Sequence, residues 1–403
     1  MNKKPLDGIR VVELSTYVAA PGAARILADM GAEVIKIESF SGDQWRESGK
    51  KLLKTDDEEN PIFDVYNTGK KSICLNIKHE DGLDFTMKLL ESADIFITNT
   101  RSRSLRKLGL DAKTLTERFP RLICASIDGF GSKGPDADSP GFDNISFWAR
   151  SGFNRDIPYQ AEGSFPMPPT SGIGDCVSGG FLVAGIMTAL YNRERTGRGD
   201  IVNVSLYGAA IWVMSTMLLR ANPKYGEKFP FDPNHGDPLT NNYECADGEW
   251  CNISVRAYEK DAPLMYKVLG IEDVVNALGN VTVDNICSMS DILIPVIRKA
   301  MKQKTSDEWI QLFREQDLVI GRLPHMTDVL TDEQAWVNGF IEELTNRNGE
   351  KSVMSCPPIR LGSFEKSPAA PAPRMGEQTD SVLQCFGYDE AMIRRMHESG
   401  AVK

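Results

Sequence analysis

Gly8-Ile-Arg-Val-Val-Glu-Leu14, a helix-like run over residues 21–30, and then Glu33-Val-Ile-Lys-Ile-Glu38 form the stretch that decides the fold. The outer runs are short and β-branched, and the middle one has the length of a single helix, so the three read as a strand, helix, strand unit. The pattern continues with a strand at 72–77, a helix at 81–92 marked by Leu83, Met87 and Leu90, and a strand at 94–98. A helix at 112–119 and a strand at 122–127 follow. Such alternation builds a mostly parallel sheet with helices on both faces, and right-handed crossovers gather the strand C-termini on one ligand-binding edge. The expected class is α/β, with a Rossmann-like large domain and a smaller α+β domain.

Further along, residues 129–170 are punctuated by Gly and Pro, and 177–195 read as the most apolar helix of the chain, expected to be buried. A strand at 201–206 and a second apolar helix at 209–219 follow. Residues 1–221 are assigned to the large domain, completed by about 330–403, with 222–239 as a linker and 240–325 as the small domain. That small domain opens on a hairpin, Tyr243 to Ile253, turning at Asp247-Gly248. Residues 326–375 read as a return linker containing the stiff Ser367-Pro-Ala-Ala-Pro-Ala-Pro373, and 378–402 as one or two short helices.

Composition narrows the function. With 46 Lys and Arg against 56 Asp and Glu in 403 residues the chain carries −10, which excludes a general nucleic-acid binder and means that any anionic ligand needs a local cationic patch. Eight cysteines show no C-x-x-C pair and the four histidines no clustering, so no metal site is read, and the thiols are expected to be reduced and mostly buried. Arg10 and Glu13 interrupt the first apolar run, so it is neither signal peptide nor membrane span; the expected address is the cytoplasm.

Familiar loops are missing or incomplete. Gly129-Phe-Gly131-Ser-Lys-Gly134 fits G-x-G-x-x-G after a strand, but Pro135 and Pro140 prevent it from opening the helix on which dinucleotide binding relies. Neither a Walker loop nor G-x-S-x-G occurs. His79, His235, His325 and His397 lie in no nucleophile motif, which disfavours a triad. Two features remain. Thr170-Ser-Gly172-Ile-Gly174-Asp175 stands directly before the apolar helix: Asp175 reads as its N-cap, or, ionised at neutral pH beside glycines that leave room and offer N–H groups, as a nucleophile toward an acyl group. Arg101-Ser-Arg103-Ser-Leu-Arg106-Lys107 follows a strand end, either as a solvated helix face or as a phosphate-binding cluster at the edge of a parallel sheet.

Several separated motifs then give a resemblance. Leu6 to Leu14, Ala20-Pro21, Asp29-Met-Gly-Ala-Glu-Val-Ile-Lys-Ile-Glu38, Gly42-Asp43, Asn67-Thr-Gly-Lys-Lys-Ser-Ile73, Gly174-Asp175, Asp332-Glu-Gln-Ala-Trp336 and residues 383–388 together resemble the class III CoA-transferase family, which includes formyl-CoA and carnitine CoA-transferases and the α-methylacyl-CoA racemases. Within it the chain is most similar to the 2-hydroxyacyl (aryllactate and 2-hydroxyisocaproate) CoA-transferases of amino-acid-fermenting anaerobes, at Asn60-Pro61, Lys70-Lys71, Pro140-Gly-Phe-Asp143 and 331–336.

The resemblance implies that Asp175 is the catalytic residue and that Val18, Ala19, Ser39, Leu75, Asn99, Thr100 and Lys107 contact CoA, with Arg101 a further cation by position. It implies no tightly bound cofactor, CoA and acyl-CoA as substrates, a small carboxylic acid as the second substrate, and an interlocked homodimer. Formyl-CoA transferases carry arginine where this chain has Ser39 and lysine where it has Pro140, so the phosphate clamp is built differently here, and their glycine-rich lid is absent near residue 240. The implied reaction moves CoA to a free acid, a 2-hydroxy acid, through aspartyl anhydride and aspartyl-CoA thioester. A racemase is the alternative; it uses a histidine where this chain has Phe142, which shuttles no proton.

Overall fold

The computed structural model describes residues 4–54, 60–157, 166–225, 229, 232, 234 and 236–403. His235 and much of the 222–239 linker lie outside the described residues. The chain divides into two compact units, one of Met1–Asn154, Pro168–Glu227 and Trp336–Lys403, the other of Arg155–Met167 and Lys228–Ala335.

The first unit begins with β1 (Arg10–Leu14), α1 (Ala19–Asp29), β2 (Glu33–Glu38), α2 (Trp45–Leu53), α3 (Pro61–Asn67), β3 (Lys71–Cys74) and α4 (Glu80–Glu91). It continues with β4 (Ile95–Thr98), α5 (Ser102–Leu108), α6 (Ala112–Arg118), β5 (Ile123–Asp128), a π-helical turn (Asp143–Ala149) and α7 (Phe153–Asp156). Then come α8 (Ile173–Thr196), β6 (Ile201–Ser205), α9 (Leu206–Val213) and α10 (Ser215–Arg220). The six strands pair in parallel in the order β3-β2-β1-β4-β5-β6. This is the doubly wound order, and its direction reverses between β1 and β4, where a crevice opens beyond the strand C-termini. Strands covered on both faces favour apolar runs; β4 has one in Ile95-Phe96-Ile97, whereas β1 carries the buried Glu13 within its run.

One face is sealed by Phe85, Leu89 and Leu105 together with Val382, Leu383, Ile393 and Met396 of the C-terminal helices. The tail is stitched to β3: Asn76 N–H donates to Ala401 O and Lys403 N–H to Cys74 O. On the other face α8 packs along α1, and Gly179 makes the approach possible because a Cβ there would stand 2.8 Å from the Ala19 carbonyl oxygen. The expectation that this helix is buried is corrected: Phe181, Met187 and Tyr191 are 36%, 37% and 68% exposed, because only the side facing α1, β5 and β6 is covered. The helix is long and apolar enough to cross a membrane, with less than half of its apolar window buried. The thiol expectation also changes, since Cys176, Cys287 and Cys385 are exposed against Cys74, Cys124, Cys245 and Cys251 buried; none of the eight is in a disulfide.

The second unit holds a three-stranded antiparallel sheet of Asn241–Glu244, Trp250–Ser254 and Val319–Arg322, the first two being the expected hairpin and the third unforeseen. Helices Tyr258–Leu269, Ser290–Met301 and Ser306–Glu315 bury Met265, Leu293, Ile297, Trp309 and Phe313 against it. The segment read as a return linker contains a second hairpin, Ile341–Thr345 with Lys351–Ser355, whose short alternating strands carry too few apolar residues to stand out in the sequence.

A cluster of buried charge fixes the C-terminal ends of β1 and β2. Lys36 Nζ lies 2.9 Å from both Glu13 and Asp43, and Lys70 Nζ lies 2.7 Å from Glu13; all four side chains are fully buried. Lys36 also donates to Ser15 O, and Lys70 to Pro21 O and Asn67 Oδ1. Burial alone raises a carboxyl pKa, but the two ammonium groups prevail and hold Glu13 at about 2. Lys36 has Asp43 as a second close partner and is pushed up, whereas burial brings Lys70, sharing the single charge of Glu13, down to about 8. Removing one member strands its partners. Lys36→Ala, which leaves Glu13 and Asp43 undercompensated, is expected to cost about 3–5 kcal/mol in urea unfolding, and a loss below about 1 kcal/mol contradicts this account of the cluster.

Candidate active site

The crevice predicted by the strand order is present. The loops after β1 and β4 diverge there, and Asn99 ties them: Thr16 N–H donates to Asn99 Oδ1 at 3.1 Å, and Asn99 Nδ2 donates to Thr16 O at 2.7 Å. Beyond them lies a cavity of about 400 Å³ whose wall includes Tyr17, Ala19, Asn99, Thr100, Arg101, Arg106, Phe142 and Asp175. Of the residues singled out from sequence, Ala19, Asn99, Thr100, Arg101 and Asp175 thus share one cavity. Val18 is buried at the start of α1, Ser39 is exposed just after β2, Leu75 is buried just after β3, and Lys107 is exposed on α5; these four are not part of the cavity wall.

Asp175 sits in the first turn of α8. The N-cap is Gly172, at φ +91°, and Asp175 is the third helical residue, so the reading of Asp175 as the cap is corrected. A cap at positive φ explains the error, because glycine there starts the helix without a capping side chain. Beneath this turn lies Asp143, the first residue of the π-helical turn, 5% exposed, whose Oδ2 accepts the Gly172 N–H at 2.8 Å. Gly174 has to be glycine, since a Cβ would collide with Asp143 Oδ1 and the Phe147 ring. The Gly172 N–H, expected to be open for a substrate oxyanion, is therefore committed to Asp143.

Two carboxyl groups so close in a poorly solvated place cannot both ionise easily. Burial, reinforced by the negative charge of Asp143, pushes Asp175 up from 3.8 to about 7, outweighing the helix N-terminus that would lower it. The expectation of a fully ionised Asp175 at neutral pH is corrected accordingly. Burial likewise raises Asp143, against hydrogen bonding from Gly172. On the other side of the turn, Tyr66 Oη stands 3.8 Å from Cys176 Sγ.

The basic run after β4 forms α5. Arg101 and Arg106 line the cavity; among the described residues the side chains of Arg101, Arg103 and Lys107 have no ion-pair or hydrogen-bond partner, while against burial the charge of Arg106 helps hold the Asp111 carboxyl on the same wall below its usual range. In a chain of −10 this is an open cationic patch beside a carboxyl group. The Gly129 loop does not cradle a dinucleotide: a Cβ on Gly129 would stand 2.7 Å from Gly141 Cα, so the glycine lets the loop pinch shut and return Phe142 and Asp143 to the sheet edge. His79, His325 and His397 are not part of the cavity wall; His79 accepts the Asp81 N–H and His397 lies 2.8 Å from Asp380. Among the described residues no cluster of metal-ligating side chains occurs.

Sequence reasoning missed Asp143 and Tyr17 as parts of the site. Gly-Phe-Asp after Pro140 is a signal for the first; nothing local marks the second. Chemically, the cavity offers cations for phosphate and a carboxyl group that titrates near neutrality, suited to nucleophilic attack or proton transfer.

The pattern of CoA-transferase family III matches residues 6–379. The chain is 36% identical to (R)-2-hydroxy-4-methylpentanoate CoA-transferase of Clostridioides difficile, over 99% of each chain. It is also 36% identical to cinnamoyl-CoA:phenyllactate CoA-transferase of Clostridium sporogenes, over 98% of this chain and 97% of that one. Among solved structures, Rv3272 from Mycobacterium tuberculosis superposes with a TM-score of 0.78 at 28% identity, covering 94% of this chain and 99% of the other.

A raised carboxyl pKa is a stability cost at neutral pH. Between the unfolded value of 3.8 and the folded value of about 7 the native state holds a proton that the unfolded chain has lost, so this group makes stability fall as pH rises through that window. Asp175→Asn is therefore expected to raise the melting temperature at pH 7 and to do so less at pH 4; a gain that is absent, or equal at both pH values, contradicts the buried carboxyl pair.

Proposed function

The chain belongs to CoA-transferase family III, and from that premise we propose that it carries CoA from an acyl-CoA donor to a free 2-hydroxy acid on the carboxylate of Asp175. The observation that carries this reading is the carboxyl group at the start of α8, opening into a cavity whose wall also holds Arg101 and Arg106.

Ionised Asp175 attacks the thioester carbonyl, forming a mixed anhydride and releasing CoA thiolate. The thiolate attacks the Asp175 carbonyl, giving aspartyl-CoA thioester and freeing the donor acid. The acceptor carboxylate then displaces CoA to form a second anhydride, and the returning thiolate takes the acceptor's acyl group and restores Asp175. One thioester is exchanged for another, so the sequence needs no ATP, and its rate rests on positioning. A carboxyl group near pKa 7 is more nucleophilic than one near 4 and still substantially ionised at neutral pH.

The sheet supports the CoA contacts proposed for Leu75, Ser39, Val18, Ala19, Asn99, Thr100, Arg101 and Lys107. They follow β3, β2, β1 and β4 in spatial order along one edge, with neighbouring strands about 4.8 Å apart; Val18 and Leu75 are buried there, Leu75 paired with Val402 of the tail, so a long ligand lying across these strand ends has Ser39, Asn99, Thr100, Arg101 and Lys107 within its reach. Arg101 and Lys107, with Arg106, are the cations proposed for the phosphates. No tightly bound cofactor is invoked. For the racemase alternative the residue beside Asp143 is Phe142, which offers no second proton-transfer group.

The working unit is read as a cytoplasmic homodimer. In one chain α8 exposes Tyr191, and α9 and α10 expose Trp212 at 69%, Leu218 and Leu219, an apolar surface of the kind that protein partners cover. Light scattering at micromolar concentration is expected to give a mass near twice the chain's 44.6 kDa, and a monomer contradicts it.

Asp175→Ala is expected to lower transfer by roughly 10³-fold or more while CoA still binds in calorimetry; retained turnover overturns the nucleophile. In the wild type kcat/KM should rise with pH through about 7, and Asp143→Asn, which removes the neighbouring charge, should move that limb to lower pH. A limb near 4 in the wild type contradicts the assignment.

A further inference from the structure

Tyr17, in the loop after β1, is one of only three non-glycine residues with positive φ among those described, at +66°. Side chains adopt this region at a cost, and glycine would occupy it freely. The chain instead places a large aromatic residue there and grips the backbone leading into it. Tyr17 N–H donates to Asp43 Oδ1 at 3.0 Å, and Asp43 Oδ2 is held 2.9 Å from the buried Lys36 ammonium. The preceding residue, Thr16, is bound through both N–H and carbonyl by Asn99.

The constrained loop sends the ring onto the cavity wall, where it meets Phe142 edge-on, with centroids 5.3 Å apart at 81°, and Trp45 at 5.9 Å. Phe142 lines the same cavity as Asp175, is bonded to Asp143 in the chain, and is 55% exposed. The cavity that holds Asp175 thus has an aromatic wall made of Tyr17 and Phe142.

We propose that Tyr17 and Phe142 form the wall that selects the side chain of the acid, favouring monocarboxylic 2-hydroxy acids with a bulky apolar or aromatic substituent over small ones, and that Asp43 is the positioning residue that holds Tyr17 in place. This rests on transfer at Asp175. The wall acts by removing apolar surface of the acid from water, so its effect grows with the substituent and vanishes for a methyl group. Because donor and acceptor acids take turns at one carboxylate, the same wall screens both.

An internal competition isolates the effect from overall activity. The purified chain is given butyryl-CoA with equal concentrations of phenyllactate and lactate, and the two product thioesters are counted by mass spectrometry. The wild type is expected to favour phenyllactyl-CoA by about tenfold or more. Tyr17→Ala and Phe142→Ala should each cut that ratio by about fivefold or more, with absolute rates falling too, whereas Tyr17→Phe keeps the ring and should keep the ratio within about twofold. A wild-type ratio near one, or a ratio unchanged in both alanine variants, overturns the wall while leaving CoA transfer standing. Product from neither acid, in a chain that binds CoA, overturns the transfer reading and the wall with it.

Discussion

The site depends on a contact that only a glycine permits. Asp143 is pressed beneath the first turn of α8, where Gly174 has no Cβ to exclude it and the Gly172 N–H receives its Oδ2. That seat fixes where the helix begins, and with it the direction of Asp175. It also sets two acidic groups together in a place with little water, which raises the pKa of the second. A helix N-terminus by itself would favour a fully charged, weakly nucleophilic carboxylate; burial and a like-charged neighbour change that balance by more than the helix can restore.

Around this seat the fold commits buried charge to holding loops still. Glu13, Lys36, Lys70 and Asp43 stabilise less than an apolar cluster of the same volume would, since desolvation consumes most of their attraction. What they supply is geometry: Lys36, Lys70 and Asp43 bond to backbone groups of the segments that follow β1 and β2, Glu13 holds the two lysines, and the strained backbone of Tyr17 persists because Asp43 and Asn99 leave it no alternative. Strain held by a buried network at the rim of a cavity is what a binding site requires and what stability alone would remove.

Much of the architecture was legible because it is written in local periodicity. The strands at 10–14, 33–38 and 95–98 and the helices between them alternate plainly, and the switch between β1 and β4 follows from that order once the sheet is parallel. Asp175 and the run from Arg101 to Lys107 were legible by type and position. What escaped depends on partners distant in sequence. Asp143 gains meaning only against Gly172 and Gly174, about thirty residues on. Tyr17 owes its conformation to Asp43 and Asn99, and no tyrosine advertises a positive φ. The exposed face of α8 was misread because an apolar helix looks buried whether its cover is its own chain or another. The hairpin in the return segment was lost because short strands give too few alternations to count.

The most direct test is to find the covalent intermediate. The chain is incubated with an acyl-CoA without acceptor acid, treated with hydroxylamine, digested, and mapped by mass spectrometry. The account predicts a hydroxamate on the peptide carrying Asp175, dependent on the thioester and absent from Asp175→Ala. Modification confined to the neighbouring Cys176, or no thioester-dependent modification of that peptide under conditions of turnover, would contradict it.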